Sequence, residues 1–267
     1  MPTSCNPKYY ELGAQGSAIR ELFAYGLARK AEIGEDKVFD FSIGNPSIPA
    51  PAQVKQAFTE ALEEPAVELH GYTPAPGYAS TRTAIANSLN ARFGTHYDAS
   101  MLYMTMGAAA ALDASINALT EPGDEVVVIA PFFPEYQMWI ENAGCTCVLS
   151  PACQDTMYPD LADLASRIGP KTRAVIVNSP NNPTGTAVEL ATIEALYDAT
   201  PGVVVVDEAY AEFARRGTPS ALTLLGASHR LVVTRTMSKA FGFAGGREDL
   251  NLLGLPIESE IFNHIRK

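Results

Sequence analysis

From residue 101 onward, short apolar runs alternate with longer stretches whose apolar positions recur every three or four residues. The runs are "MLYMTM" (101–106), "EVVVIAP" (125–131), "CTCVLS" (145–150), "AVIVNSP" (174–180), "VVVVD" (203–207) and "LVVTRT" (231–236). Short, mostly β-branched runs without strict polar alternation predict strands covered on both faces. Between them, 108–121, 134–144, 160–169 and 189–199 carry the helical period, as do 17–34 (closed by Gly34), 52–64 and 78–94 ahead of them. Strand and helix in alternation predict an α/β fold, three layers α-β-α around a mainly parallel sheet. The expected organisation is an N-terminal helical segment (1–45), one large domain (46–247) and an atypical tail (248–267).

In open α/β sheets the ligand site lies outside the carboxyl ends of the strands. Four of the runs end there on polar or glycine residues. "AVIV" leads to Asn178 and "SPNNPTG", "VVVV" to Asp207 and "EAY", "LVV" to "TRTMSKAFGFAGGR", and "MLYMTM" to Gly107, Ala108 and Ala109 at a helix start. Taken singly, Gly107 reads equally well as a turn, Asp207 as a cap and Lys239 as a surface lysine. Together they describe one kind of ligand. Bare N–H groups at a helix start suit a phosphate, with Thr236, Ser238 and Arg247 able to complete the anion site. Phe133 can stack on a flat ring. Asp207 can hold a ring nitrogen protonated, Tyr210 and Asn182 can bind a ring oxygen, and Lys239 can serve as an amine nucleophile. A phosphate, a basic ring and an imine-forming lysine describe pyridoxal 5'-phosphate (PLP).

Composition narrows the partners. A net charge of −11 over 267 residues argues against nucleic acid and anionic membranes. No apolar run is long enough to span a bilayer, and "MPTSCNPKYYELG" lacks a secretory pattern. Cys5, Cys145, Cys147 and Cys153 fit no metal spacing, and His70, His96, His229 and His264 are scattered. The cysteines read as structural thiols of a reducing cytoplasm, and no metal site is expected. Tyr136, Trp139 and Ile140 share a helical face and read as packing.

The motifs "FSIGNPSIPAP" (41–51), "GYTPAPGYASTR" (71–82), "GAAAAL", "APFFPEY", "NSPNNPTG", "VVVDEAY" and "TMSKAFGFAGGR" come in an order that resembles fold-type I PLP enzymes, the class I/II aminotransferases, over residues 17–247. The resemblance implies that Lys239 forms the internal aldimine and later moves the proton, and that Asp207 holds the pyridinium nitrogen. Tyr210 and Asn182 are implied to bind the phenolic oxygen. The amides of Ala108 and Ala109, with Gly107 at the turn, and Thr236, Ser238 and Arg247 would bind the phosphate, and Phe133 would stack on the ring. Tyr72 resembles the tyrosine that reaches the cofactor of a neighbouring subunit, which implies a homodimer. Gly44 matches a glycine on the substrate-carboxylate side, where Asn182 also lies. The implied reaction moves an amino group between an amino acid and a 2-keto acid.

"TMSKAFGFAGGR" is close to the histidinol-phosphate subgroup, while "SPNNPTG" with "FSIGNP" looks more like the aspartate and aromatic subgroup, which the two together favour. The family pattern stops at Arg247. The residues after it, "EDLNLLGLPIESEIFNHIRK", do not continue it. A truncated chain without the C-terminal small domain and its carboxylate-binding arginine is the expectation. On that pattern "MLYMTM" loses a hydrogen-bonding neighbour in the sheet. Two other readings stay open: a PLP-dependent C–S lyase or synthase of the same fold, and a catalytically impaired remnant.

Overall fold

A computed structural model describes residues 4, 6–14, 18–42, 44, 48–227 and 230–244 of the chain. The polypeptide divides into two compact units, Met1–Asn45 and a second that begins at Pro46. The first unit holds helices α1 (Pro7–Ala14) and α2 (Ala18–Ile33) and a single 3-10 turn at Glu35–Lys37. Gly34 ends α2 at φ 106°, as its position after the helical period predicts. Behind it, Asp40 accepts hydrogen bonds from the backbone and hydroxyl of Ser42, which hold its carboxyl below the ordinary value, with Lys30 3.4 Å away.

The second unit opens with α3 (Ala52–Leu62), α4 (Ala66–Leu69) and α5 (Ala79–Phe93), followed by α6 (Gly107–Leu119). Strand and helix then alternate through β1 (Glu125–Ala130), α7 (Glu135–Asn142), β2 (Thr146–Pro151), α8 (Leu161–Arg167), β3 (Thr172–Asn178), α9 (Leu190–Ala199), β4 (Val203–Asp207) and β5 (Leu231–Thr234). All neighbours pair in parallel, in the order β2-β1-β3-β4-β5.

The alternation of side chains along each strand builds the three layers. Val126, Val128, Ala174, Ile176 and Val205 pack with Leu112 and Ile116 of α6 and Tyr136 and Ile140 of α7. Their neighbours Val127, Ile129, Val175, Val177, Val204 and Val206 pack with Leu164 of α8 and Ile193 and Leu196 of α9. Both faces of the central strands are therefore dry, which is why their sequences show no polar alternation. Each such valine contributes about 1.5–3 kcal/mol by leaving water. At Gly202, just ahead of β4, a Cβ would stand 2.0 Å from the carbonyl oxygen of Arg173. Only glycine lets β4 come this close to β3.

One expected strand does not form. Residues 99–101 make a 3-10 turn, and 102–105 pair with no strand among the described residues. Leu102 has extended angles (φ −114°, ψ 141°), yet the N–H of Met104 donates to the carbonyl of Pro76. Among the described residues the sheet ends at β5, and a cavity of about 660 Å³ separates β5 from this segment, lined by Met101–Thr105, Leu231–Thr234 and Ala111 and Ala114 of α6. A segment without a neighbour cannot build a ladder, so among the described residues "MLYMTM" lies outside the sheet.

Among the described residues, no helix is long and apolar enough to cross a membrane, and no cluster of His, Cys, Asp and Glu could hold a metal. Cys145 and Cys147 both pack on the α6–α7 side, while Cys153 is exposed. Burial, then the charge of Glu141, pushes the Cys147 thiol up to about 11. The thiolate is the reactive form. Iodoacetamide at pH 8 is therefore expected to modify Cys153 at least about tenfold faster than Cys147, read by peptide mass spectrometry. Equal rates would contradict this packing.

Candidate cofactor site

Register places the chemistry. Asn178, Asp207 and Thr234 lie side by side at the carboxyl ends of β3, β4 and β5. A parallel sheet in register presents the residues that end its apolar runs on one edge. The carbonyl of Asp207 accepts from Asn178 Nδ2 at 3.1 Å and from the Ser179 N–H at 3.0 Å. Asn178 Oδ1 in turn accepts from the N–H of Asn182 at 2.7 Å, which seats the "SPNNPTG" loop on β4. Asn181 holds the same loop from inside, donating to the Pro131 carbonyl and accepting from Thr184.

Asp207 is 5% exposed. Its Oδ1 accepts from the N–H of Ala209 at 3.0 Å and from Thr234 Oγ1 at 3.4 Å, and its Oδ2 accepts from the hydroxyl of Tyr136. Burial raises its carboxyl above the ordinary value. The bonds from Tyr136, Ala209 and Thr234 and the charge of Lys239 oppose that rise without cancelling it. Tyr136 itself is pushed far up, chiefly by burial and then by the Asp207 charge, so its hydroxyl keeps its proton and donates it to Asp207.

Beyond β4, Asn182 Nδ2 donates to the Tyr210 hydroxyl at 3.2 Å. Lys239 Nζ stands 5.5 Å from the centre of the Tyr210 ring. Downstream of β5, Thr236 and Ser238 are joined hydroxyl to hydroxyl at 2.9 Å, and the Ser238 N–H donates to Thr236 Oγ1. Gly107, Thr236 and Ser238 line the same cavity. Gly107 starts α6 at φ 82°, a conformation that favours glycine, and no side chain caps the helix. Ala108 follows, buried, and Ala109 is half-buried. Phe133 meets Tyr136 edge-on at 5.8 Å and Trp139 at 6.1 Å.

Hydrogen bonds and ring contacts thus join Phe133, Asp207 and Thr234 on one side, and Asn182, Tyr210 and Lys239 on the other. Tyr72 is fully exposed and makes none of these contacts. Gly44 lies in the first unit. Arg247 and the tail 248–267 lie outside the described residues. Two members of the site were not singled out from sequence. Thr234 was signalled only by ending its run level with Asp207. Tyr136 was read as packing, and it does pack, but its hydroxyl reaches a carboxylate 71 residues away along the chain.

The residues fit PLP on three observations of the structure. The α6 N-terminus has no side-chain cap among the described residues and lines one cavity with the hydroxyl residues Thr236 and Ser238, Asp207 is a buried carboxylate with an acceptor position to spare, and a lysine amine stands over the tyrosine that pairs with Asn182.

The model of the family "Aminotransferase class I and II" matches residues 36–247. The chain is 38% identical to histidinol-phosphate aminotransferase 3 of Burkholderia lata over 82% of its own length and 61% of the relative's. It is 39% identical to histidinol-phosphate aminotransferase of Thermobifida fusca, over 76% of its own length and 54% of the relative's. It therefore spans little more than half the length of these curated relatives. Among solved structures, an amino transferase from Eubacterium rectale superposes with a TM-score of 0.81 at 38% identity, covering 98% of this chain and 74% of that one. Aspartate aminotransferase of Thermus thermophilus superposes at 0.75 with 25% identity, over 94% and 64%. On the matched motifs, the sheet and these likenesses, the chain belongs to the class I and II aminotransferases.

Proposed function

We propose that the chain binds PLP at the carboxyl ends of β3, β4 and β5 and moves an amino group between an amino acid and a 2-keto acid. The observation that carries this reading is the buried Asp207 at the end of β4, linked through Asn178 to Asn182, which pairs with the Tyr210 that Lys239 stands over. When bound, PLP supplies an electron sink and a carbonyl that exchanges amino groups. The chain's residues do the rest. Lys239 Nζ would be the amine that anchors the cofactor's carbonyl carbon, and, once freed by the incoming substrate amine, would take the proton from the substrate Cα and deliver it to a different carbon. Asp207 keeps the ring nitrogen cationic. Tyr210 Oη and Asn182 Nδ2 bind the ring oxygen, and Phe133 covers a ring face. The amides of Gly107, Ala108 and Ala109, with the hydroxyls of Thr236 and Ser238, bind the phosphate in the field of α6. Arg247 is assigned there too by the family pattern.

The same reading makes the protein a cytoplasmic homodimer, with the exposed Tyr72 reaching the phosphate held by a second copy and Gly44 lining the substrate's carboxylate side. Because the curated relatives are named for histidinol phosphate, that compound leads the amino donors to try, beside aspartate and the aromatic amino acids.

Borohydride reduction of the chain incubated with PLP, followed by peptide mapping, is expected to place the pyridoxyl group on Lys239. Transfer of the amino group from one of these donors to 2-oxoglutarate is then expected. Keto acid and ammonia formed without an acceptor would replace this reading by the lyase one. Absence of label at Lys239 would leave only the remnant.

A further inference from the structure

A carboxylate offers four acceptor positions on its two oxygens. Ala209 and Thr234 occupy both positions of Asp207 Oδ1, and Tyr136 occupies one of Oδ2. The remaining position is on Oδ2, the oxygen that Tyr136 already holds. Tyr136 is itself fully buried, its ring stacked on Phe132 at 6.3 Å and held by Phe133 at 5.8 Å and Trp139 at 6.0 Å. The hydroxyl is therefore fixed by the packing of its ring against three aromatic neighbours as well as by the carboxylate it serves. Without it, a carboxylate that is 5% exposed keeps two donors on one oxygen and none on the other.

We propose that Tyr136 is a positioning residue for the reaction: its bond to Oδ2 fixes the Asp207 carboxylate so that the second position of that oxygen is the one open to the cationic N–H of the PLP ring. The inference rests on the PLP reading above and adds a residue to it. The groups that face Asp207 are Tyr136 from α7, Thr234 from β5, Ala209 from its own loop and the charge of Lys239. Among the described residues, Tyr136 is the donor to Oδ2.

The test compares PLP with 1-deaza-PLP, whose ring nitrogen is replaced by C–H, on wild type and Tyr136→Phe. Binding is followed by quenching of Trp139 fluorescence. Tyr136→Phe is expected to bind PLP about tenfold more weakly, about 1.4 kcal/mol, and to bind the deaza analogue as wild type does. The signal of ¹⁵N-labelled ring nitrogen is expected to move toward the unprotonated form in the variant. A tyrosine that merely packs would weaken both ligands equally and leave the nitrogen signal in place, and that result would overturn the proposal. If Tyr136→Phe does not fold, Asp207→Asn is compared with Asp207→Asn/Tyr136→Phe. Equal PLP affinities there are expected, and a further loss on removing the hydroxyl overturns the proposal. Wild type that binds neither ligand overturns the PLP reading and this inference together, whereas wild type that binds PLP while Tyr136→Phe matches it overturns the inference alone.

Discussion

Glu208→Ala is expected to lower the stability of the protein by about 3 kcal/mol, the cost of removing one partner from a buried ion pair, and its melting temperature by roughly 6–12 °C. The neighbour of Asp207 in "VVVVDEAY" points to the opposite side of the strand end and does different work. It is 3% exposed. Its two carboxylate oxygens accept from Ser220 Oγ at 2.9 and 2.8 Å, from the N–H of Ala221 at 2.7 Å and from Arg235 Nε at 3.1 Å. Arg235 also pairs with Glu212 at 3.1 Å, and Glu212 with Arg92 at 3.2 Å. One carboxylate thus ties β4 to the 3-10 segment at Ala221–Ala227 and, through Arg235, to α5. Alanine leaves the Ala221 N–H, the Ser220 hydroxyl and one edge of Arg235 without their acceptor in a dry site. Glu208→Gln keeps an acceptor for Ala221 and is expected to lose about half as much, whereas the exposed Glu194→Ala is expected to stay within about 0.5 kcal/mol. Thermal unfolding of the three variants decides it. A shift under about 3 °C for Glu208→Ala would show that the network is not coupled to the fold.

The contrast between these two acids shows what the sequence can and cannot carry. The strands were legible because a strand covered on both faces needs an uninterrupted apolar run, and "VVVV" and "AVIV" have no other economical use. Helix ends were legible to within a few residues because Gly34 and the helical period mark them. "MLYMTM" has the composition of a strand, and Leu102 has extended angles, but a ladder needs a neighbour, and whether one is there is a property of the whole sheet. The site was legible where strand ends align. Asp207, Asn182, Tyr210, Lys239, Thr236 and Ser238 all follow apolar runs within a few residues. Contacts that join distant segments through one side chain were not legible. Nothing in "PEYQMW" says that the Tyr136 hydroxyl ends on Asp207, and nothing in "DEAY" says that Glu208 is met by Ser220 and Arg235.

Asp207→Asn is expected to weaken PLP binding by about 100-fold, or about 2.7 kcal/mol, and at the same time to stabilise the empty protein at neutral pH. The two effects have one cause. Burial raises the Asp207 carboxyl, so the folded protein holds that proton more tightly than the unfolded chain. The stability contributed by this group is fully present below the ordinary carboxyl value of about 3.9. It is lost as pH rises through the higher folded value, where a charge must be kept in a dry site. Asparagine keeps acceptor and donor near Ala209 and Tyr136 without that charge. The melting temperature of apo Asp207→Asn relative to wild type is therefore expected to be unchanged near pH 4 and higher at pH 7. The expected gain is on the order of 1 kcal/mol, or roughly 2–4 °C. Saturating PLP reverses the order, because a ligand at 100 times its Kd stabilises wild type by about 2.7 kcal/mol and the variant hardly at all. The measurement is a pair of unfolding series from pH 4 to pH 8, with and without PLP. Curves that cross only when PLP is added would show that Asp207 is kept ionised at a cost in stability for the sake of a cationic ligand. An apo variant less stable than wild type at pH 7 would show instead that the carboxylate is there to satisfy Tyr136, Ala209 and Thr234, and that its place at the end of β4 is structural.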